Sequence, residues 1–222
     1  NWNYNMKIVS VITARGGSKE IPKKNIISIN GQPLIHYTIQ ASINSNVHET
    51  WVSTDDDEIE TYAYAEGAKV IIRPKELADD IIMPDASLVH FAENVDFDIL
   101  VFIQPTSPLL EPKYINKGIE MMDNYDSVFS AYKEHWFPRW SKENILGAMI
   151  STPVDWDIDR RPRRQDMEEN YVENGAFYIT TKDNLLKSKL RYSGNIGIIE
   201  MPYEKSFQID TKNDVKLVEK LL

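Results

Sequence analysis

Residues 8–26 read IVSVITARGGSKEIPKKNI, in which an apolar run is followed by a basic loop with two glycines. The apolar run Ile8–Ile12 reads as a buried β-strand, and a loop that contains Gly16 and Gly17 follows it directly. Glycine lacks a Cβ, so its backbone N–H groups can approach phosphate oxygens closely. Four cationic side chains on the loop supply the opposing charge: Arg15, Lys19, Lys23 and Lys24. The stretch therefore predicts a phosphate-binding loop at the end of a strand.

This loop differs from the two common glycine signatures of nucleotide-binding proteins. A P-loop requires Gly-Lys followed by Ser or Thr, and the dinucleotide fingerprint requires glycines at G-x-G-x-x-G spacing. The loop at 13–26 has neither pattern. A basic surface loop without a ligand is the alternative interpretation.

The charge distribution favours a small anionic ligand over a polymer. The chain has a net charge of -9, which argues against a nucleic-acid partner because such binding needs a basic face. Its basic residues are nevertheless clustered, within 15–24 and within 160–164. Basic clusters in an acidic protein are suited to a compact anion.

Length and composition predict one domain over residues 6–222, with residues 1–5 as an N-terminal extension that does not continue the strand pattern. The 222 residues include no cysteine, which fits a reducing compartment. The sequence contains neither a run of 18 apolar residues nor a signal-peptide pattern. We therefore expect a cytoplasmic protein without a membrane partner.

Strand-like and helix-like segments alternate along the first two thirds of the chain. Helical patterns cover 33–44 and 55–67. Apolar, β-branched runs lie at 7–13, 50–53, 69–72, 98–103 and 126–131. This alternation predicts an α/β fold with a doubly wound, mainly parallel, Rossmann-like sheet, in which ligands bind at the carboxyl ends of the strands.

The periodicity breaks between residues 132 and 173. This segment is rich in aromatic, proline and arginine residues, with Trp136, Phe137, Trp140 and Trp156 among them. Exposed aromatic side chains are enriched at interfaces. We therefore predict a small protruding dimerisation arm and a homodimer, with a packed irregular cap as the alternative. Strands at 176–180 and 195–201 and a helix from about Thr211 follow.

Polar motifs follow several of the predicted strands. The acidic segment Ser53–Glu58 has an ordinary explanation, since acids and Ser or Thr cap helix N-termini. Arg73 follows the third strand, and the rigid turn Gln104–Pro108 follows the fourth. Arg160–Gln165 and Glu173–Gly175 add charged and amide groups.

Together these motifs closely resemble the acylneuraminate cytidylyltransferases, the CMP-sialic acid synthetases. The resemblance covers the chain from Met6 onward, with the motifs in the same order. The segments that carry it are Ala14–Lys19, Lys24–Asn25, Ser53–Asp55, Arg73–Pro74, Gln104–Pro108, Arg163–Gln165, Glu173–Tyr178 and Gln208–Thr211. The family couples CTP to a nine-carbon 2-keto acid and releases pyrophosphate with the help of Mg²⁺, for which Mn²⁺ is an alternative.

The resemblance also implies roles for individual residues. The triphosphate would bind at Ala14, Arg15, Gly16, Gly17, Ser18 and Lys24. Asn25 would bind the nucleoside, and Arg73 would read cytosine. The sugar acid would contact Gln104, Arg164, Asn174 and Tyr178. Asp210 would hold the metal, with Gln208 as a weaker neutral ligand. Arg15, Lys24 and Asp210 would thus be the catalytic set.

Three positions depart from the family pattern. Glu20 replaces a usual glycine, and we expect its side chain to point away from the phosphates. Gln208 replaces one acid of an acid-x-acid pair, which predicts weaker metal affinity. The segment 80–85 lacks the hydroxyl residues that often face cytosine, with Ser87 as a distant substitute.

Two alternatives to a sialic acid cytidylyltransferase stay open. One is the same reaction on the eight-carbon acid Kdo or on legionaminic or pseudaminic acid. The other is a catalytically weakened paralogue that binds nucleotides, which Glu20 and Gln208 motivate. The four histidines are scattered and show no metal-ligand spacing.

Overall fold

The computed structural model describes residues 6–78 and 83–222, apart from the side chains of Lys75 and Ala78. The chain forms two compact units. The larger unit extends to Tyr132 and resumes at Glu173, and the smaller unit spans Lys133–Val172.

A seven-stranded sheet, counted over the described residues, forms the centre of the larger unit in the order β11-β7-β10-β6-β1-β4-β5. The strands are β1 Ile8–Thr13, β4 Glu49–Thr54, β5 Lys69–Ile72, β6 Ile99–Ile103, β7 Ser127–Lys133, β10 Tyr171–Thr181 and β11 Ile196–Glu200. The pairs of β1 with β4 and β6, of β4 with β5, and of β7 with β11 are parallel. β10 pairs antiparallel with β6. The predicted α/β fold with a mainly parallel sheet is confirmed.

Helices pack on both faces of this sheet. They are α1 Leu34–Ile43, α2 Asp57–Ala65, α3 Pro84–Asn94, α4 Pro112–Met121, α5 Lys182–Ser188 and α6 Lys212–Val218. Short 3-10 turns lie at Lys24–Ile26, Lys75–Ala78 and Tyr203–Lys205, and a small ladder joins β2 Ser28–Ile29 to β3 Gln32–Pro33. The side chains of β6 alternate between two apolar clusters, with Val101 in one and Phe102 in the other. Both faces of the central strands are therefore buried, as their continuous apolar sequence predicts.

Side-chain caps define two of the helix starts that the sequence indicates. The Asp56 carboxylate accepts from the N–H groups of Glu58 and Ile59, both at 3.0 Å, and begins α2. Thr211 and Asp214 form a reciprocal capping box at α6. The capping explanation of the acidic segment after β4 is thus correct for Asp56.

The smaller unit contains regular structure that its aperiodic sequence does not reveal. β8 Trp140–Ile145 and β9 Ala148–Pro153 form an antiparallel hairpin, and 3-10 turns follow at Ile158–Arg160 and Arg164–Asp166. Leu146 and Gly147 make the two-residue turn with φ values of 52° and 88°. This is the backbone of a tight hairpin turn, but Leu-Gly lacks the usual Asn-Gly or Asp-Gly signal.

Apolar side chains on the smaller unit are exposed. Phe137 is 67% exposed and Trp140 is 50% exposed. Trp140 packs edge-on against Trp156, whose indole nitrogen donates to the Arg139 carbonyl at 3.1 Å. Across the ranges that the structure describes, no helix combines the length and the apolarity needed to cross a membrane.

Candidate active site

A cavity of about 330 Å³ opens at the carboxyl ends of the parallel strands in the larger unit. It lies where a doubly wound sheet is expected to bind its ligand. Strand ends, the glycine loop, the start of α3 and the segment before α6 line it: Thr13, Arg15, Gly17, Ser18, Lys24, Asn25, Arg73, Leu77, Pro84, Ser87, Phe102, Gln104, Pro105, Thr106, Gln208 and Asp210.

The glycine loop is anchored to the neighbouring strand β4 and the turn that follows it. The N–H of Ala14 donates to the Ser53 carbonyl at 2.9 Å, and the N–H of Gly16 donates to the Asp55 carboxylate at 3.1 Å. A Cβ on Gly16 would overlap the side chain of Asp56. Gly16 is thus required for close packing, while Gly17 and Ser18 reach the cavity.

The second half of the loop places a cation and an amide in the same cavity. Lys24 begins the 3-10 turn Lys24–Ile26, and its Nζ lies 2.9 Å from Asp210 Oδ1. Asn25 is buried and donates from Nδ2 to the Arg15 carbonyl at 2.9 Å. This bond holds the loop backbone at Arg15. Glu20 is exposed and does not line the cavity, in agreement with the expected outward orientation.

Arg73 is a buried guanidinium whose hydrogen-bonding capacity is incompletely used. It is 5% exposed, and its Nη1 donates to Ser87 Oγ at 3.1 Å. Among the described residues, its Nε and Nη2 atoms have no hydrogen-bond partner, and the Asp55 carboxylate lies 3.9 Å from Nη2. Burial lowers the pKa of Arg73, and the negative charge of Asp55 opposes this shift. An arginine stays protonated even so, and the two nitrogens are donors awaiting an acceptor.

Two glutamines form another part of the wall, and a glycine packs closely against them. Gln208 Nε2 donates to the Asn174 carbonyl at 2.5 Å and lies 3.4 Å from Gln104 Oε1. Gly175 has a φ of +67°, and a Cβ there would overlap Gln208. The glycine of the Glu-Asn-Gly motif therefore permits both this backbone conformation and the close approach of the amides.

Two residues predicted to face the sugar acid lie behind the wall. The Asn174 side chain accepts from Ser130 Oγ at 2.7 Å and donates to Ser206 Oγ at 2.9 Å, so both ends of its amide bond within the protein. Tyr178 is 2% exposed and hydrogen-bonds the Glu173 carboxylate. Burial is the main reason that the pKa of Tyr178 is raised, with a contribution from Glu173. Neither residue lines the cavity.

The remaining predicted residues are distributed as follows. Arg164 belongs to the smaller unit, where it contacts the His135 ring. Ala14 is fully buried and contributes through its backbone. Ser87, which was predicted only as a distant substitute, is hydrogen-bonded to Arg73. Residues 80–82 of the 80–85 segment expected near cytosine lie outside the described residues.

Phe102 lines the cavity and was missed by sequence reasoning. Its ring stacks on Tyr178 with centroids 5.5 Å apart. The Arg191 guanidinium lies 5.4 Å from the Phe102 ring and forms a buried ion pair with Asp85, 2.5 Å between Nη2 and Oδ2. Phe102 reads as one more apolar residue of a buried strand, so no sequence signal marks it.

The oxygen ligands at this site fit a magnesium-type ion that shares its coordination with a substrate. Within residues 6–78 and 83–222, no group of three or more His, Cys, Asp or Glu side chains could hold a metal. Asp210 nevertheless presents a 63% exposed carboxylate to the cavity. Mg²⁺ commonly binds one or two carboxylates and takes its other ligands from phosphates and water.

Comparison with known proteins relates this geometry to one group of enzymes. The sequence matches the cytidylyltransferase family over residues 9–222. It is 39% identical over 216 residues to N-acylneuraminate cytidylyltransferase A of Danio rerio, covering 96% of this chain and 50% of that protein. It is also 31% identical to a pseudaminic acid cytidylyltransferase of Campylobacter jejuni, covering 96% of this chain and 95% of that protein. The chain spans about half the length of the N-acylneuraminate cytidylyltransferases that it matches.

The fold is also similar to that of a solved structure. A structure of CMP:2-keto-3-deoxy-manno-octonic acid synthetase complexed with CTP superposes with a TM-score of 0.73 at 23% identity, covering 97% of this chain and 98% of that one. At this identity the likeness concerns the fold. The resemblance read from the sequence motifs is confirmed by the family match and by the relatives: the chain belongs to the cytidylyltransferase family, among whose members it is similar to the N-acylneuraminate cytidylyltransferases.

Proposed function

We propose that this protein is a cytidylyltransferase that couples CTP to a nonulosonic acid, N-acetylneuraminic acid or a close relative, and releases pyrophosphate. The observation that carries the proposal is the cavity that joins the cationic glycine loop, Lys24 and the partly unpaired Arg73. Such a cavity suits a ligand with phosphates at one end and a hydrogen-bond acceptor at the other.

The nucleotide occupies the side of the cavity formed by the loop and Arg73. Arg15 and Lys24 neutralise the triphosphate, and the backbone at Gly17 and Ser18 follows its oxygens, while Gly16 holds the loop against Asp55. Asn25 supports the loop and binds the nucleoside. A buried donor without a partner costs about 1–3 kcal/mol. A cytosine carbonyl that accepts from Arg73 removes this cost and so stabilises the complex, which an apolar group could not do.

Asp210 holds the divalent ion, Mg²⁺ in this proposal with Mn²⁺ as a substitute. The oxygen of Gln208 is the remaining candidate ligand, because its nitrogen is bonded to Asn174. When bound, such an ion supplies positive charge to the phosphates. The ion pair between Lys24 and Asp210, at 2.9 Å, keeps a cation and the metal-binding carboxylate on the same side of the cavity.

The sugar acid occupies the side near Gln104. Asn174 and Tyr178 shape this side from behind. Arg164, which belongs to the smaller unit, stays a prediction of the family resemblance for the acid. The anomeric hydroxyl oxygen forms a bond to the α-phosphorus, the bond from that phosphorus to the bridging oxygen breaks, and pyrophosphate leaves while the hydroxyl proton passes to solvent or a base. Such a reaction depends on positioning and charge neutralisation, which Arg15 and Lys24 provide.

The exposed apolar side chains of the smaller unit support the proposal that it is a dimerisation arm. Exposed aromatic groups such as Phe137 and Trp140 stabilise a protein when a second copy covers them. The proposed enzyme is a cytoplasmic homodimer. Its lack of cysteine supports this location.

Related acids form the second candidate substrate class. The similarity to a pseudaminic acid cytidylyltransferase, which extends over 95% of that protein, favours this alternative. Kdo and legionaminic acid belong to the same class. A weakened nucleotide-binding paralogue is the remaining candidate, and the outward position of Glu20 counts against it.

The test is pyrophosphate release from CTP and Mg²⁺ with N-acetylneuraminic acid, its deaminated analogue, Kdo, pseudaminic acid or no acid. We expect release that requires an acid and is fastest with a nine-carbon acid. Release with Kdo alone would move the substrate to that acid. Absence of release with every acid, while CTP still raises the unfolding temperature, would replace the proposal with the nucleotide-binding paralogue.

A further inference from the structure

The amide of Gln208 has a fixed orientation in the wall of the cavity. One end lies 2.5 Å from the backbone carbonyl oxygen of Asn174. A carbonyl oxygen accepts hydrogen bonds and cannot donate them, so the end of the amide that faces Asn174 is the nitrogen. The chain around Gln208 is held as well, since the next residue, Ile209, is fully buried and donates from its N–H to the Thr106 carbonyl at 2.8 Å.

This orientation determines how Gln104 is turned. Gln208 Nε2 lies 3.4 Å from Gln104 Oε1 and 3.4 Å from Ser107 Oγ. Because Gln208 presents a donor, the favourable orientation of Gln104 places its oxygen toward Gln208. The NH₂ group of Gln104 is then the end left for a ligand in the cavity that Gln104 lines.

The neighbouring glycine keeps the two amides at this distance. A Cβ at Gly175 would overlap Gln208 and would lie 3.0 Å from Gln104 Oε1. The backbone N–H of Gln104 is fixed too, donating to the Ala176 carbonyl at 3.1 Å. The amides of Gln104 and Gln208 are thus held in place by three segments: the Gln104 turn, the segment after Glu173 and the segment before α6.

We propose that Gln208 is a positioning residue that sets the orientation of the Gln104 amide, so that Gln104 donates to an acceptor group of the sugar acid, its carboxylate or its acyl carbonyl. The proposal rests on the proposed function and assigns position 208 a part in acid specificity. A carboxylate at position 208 accepts and cannot donate. Such a carboxylate would repel the Asn174 carbonyl. It would also attract the NH₂ group of Gln104, so that Gln104 Oε1 would face an oxygen of the substrate.

The kinetic test uses Gln208→Glu, Gln104→Ala and the double variant, with N-acetylneuraminic acid and CTP as substrates. We expect Gln208→Glu to raise the KM for the acid on the order of tenfold, the effect of one lost hydrogen bond, with the KM for CTP little changed. In the Gln104→Ala background, Gln208→Glu should have little further effect, because it acts through Gln104. Gln32→Glu adds the same charge at an exposed position and serves as the control.

Binding of Mn²⁺, measured by electron paramagnetic resonance, separates this role from metal ligation. A Gln208→Glu protein that binds Mn²⁺ more tightly and keeps its KM for the acid would overturn the proposal. Equal effects of Gln208→Glu with and without Gln104 would do the same.

A substrate-free measurement keeps the inference distinct from the proposed reaction. In the ¹H–¹⁵N spectrum, the Gln208 side-chain NH₂ should exchange with solvent more slowly than that of Gln32, and Gln104→Ala should alter its shift. If no acid supports turnover but these signals behave as expected, the reaction is wrong and the orientation of the amides stands. Exchange as fast as that of Gln32 would refute the orientation.

Discussion

At the residue scale, Arg73 constrains the ligand most strongly. It is a nearly fully buried cation, and two of its nitrogens have no hydrogen-bond partner within residues 6–78 and 83–222. Buried polar groups in folded proteins are usually satisfied, and exceptions concentrate where a ligand or water completes the site. The neighbouring loop residue Arg15 lines the same cavity, so a ligand that reaches both residues contacts two guanidinium groups.

The contribution of Arg15 can be measured by truncation. We expect Arg15→Ala to lower kcat/KM for CTP on the order of 10²- to 10³-fold, because one charged donor to the reacting phosphates is lost. The measurement is steady-state pyrophosphate release, with the unfolding temperature as a check on the fold. Lys69→Ala, at the first residue of β5, is the matched loss of a cation. A rate for Arg15→Ala close to that of Lys69→Ala would remove Arg15 from the mechanism.

The sequence predicts some site residues better than others for a physical reason. Arg15 and Arg73 directly follow strands, so their place at the ligand edge follows from the parallel sheet. The partners of Asn174 do not follow from any local pattern, because Ser130 and Ser206 are 44 and 32 residues away in the chain. The hydrogen bonds that hold both ends of the Asn174 amide are therefore visible only in three dimensions.

At the element scale, a buried ion pair joins the start of α3 to the segment after α5. Arg191 donates to Asp85 from its backbone N–H at 2.7 Å as well as from its side chain. Burial would lower the pKa of Arg191, but the hydrogen bonds and charge of Asp85 raise it overall. The guanidinium also covers the rings of Phe102 and Tyr178. This pair therefore supports both α3 and the Phe102 wall of the cavity.

Breaking that pair should destabilise the protein strongly. Arg191→Met leaves the Asp85 carboxylate buried without its cation, and such changes cost about 3–5 kcal/mol. The measurement is the free energy of unfolding in urea. Lys69→Met is the matched control, because Lys69 also pairs with an acid, Glu49, and lies over an aromatic ring, but is 55% exposed. We expect it to cost about 1 kcal/mol or less. Equal losses for the two variants would contradict the account of the buried pair.

Glu49, on β4, predicts a specific pH dependence of stability. Hydrogen bonding to Lys69 is the main reason that its pKa falls to about 2, with Trp51 and Lys7 contributing. Since the folded state lowers this pKa, the stabilisation is fully present above the ordinary value near 4.5 and is lost as the pH falls toward 2. The difference in unfolding free energy between the wild type and Glu49→Gln should therefore shrink from pH 5.5 to pH 3. A difference that stays constant while exposed Glu204→Gln behaves as wild type would exclude this pairing.

The elements themselves were predictable where periodicity was strong. The continuous apolar runs of β1 and β6 identify buried strands, and Asp56 and Thr211 mark helix starts. The antiparallel direction of β10 does not follow from its composition, because an apolar run has the same appearance in either direction. The β8–β9 hairpin was missed because Leu146 adopts a positive φ that its residue type rarely takes.

At the scale of the whole molecule, the exposed apolar side chains of the smaller unit lead us to predict a homodimer. A homodimer of this chain should sediment at about twice 25.7 kDa. Phe137→Asp and Leu146→Asp should shift the protein toward monomer in sedimentation equilibrium, because a charge placed in an apolar interface is costly to desolvate. Tyr64→Asp, at a 57% exposed position on α2, is the control. A wild type that sediments as a monomer at micromolar concentration would contradict the dimerisation arm.

The proposed reaction makes a definite statement about which phosphorus atom is attacked. The measurement that tests it most directly follows label from CTP that carries ³²P at the α or the γ position, in the presence of N-acetylneuraminic acid and Mg²⁺. We predict that the α label enters a new compound only when the acid is present, and that the γ label leaves as pyrophosphate at the same rate. If the α label stays in CTP or appears only as free CMP while the acid is unchanged, this chain does not perform the transfer.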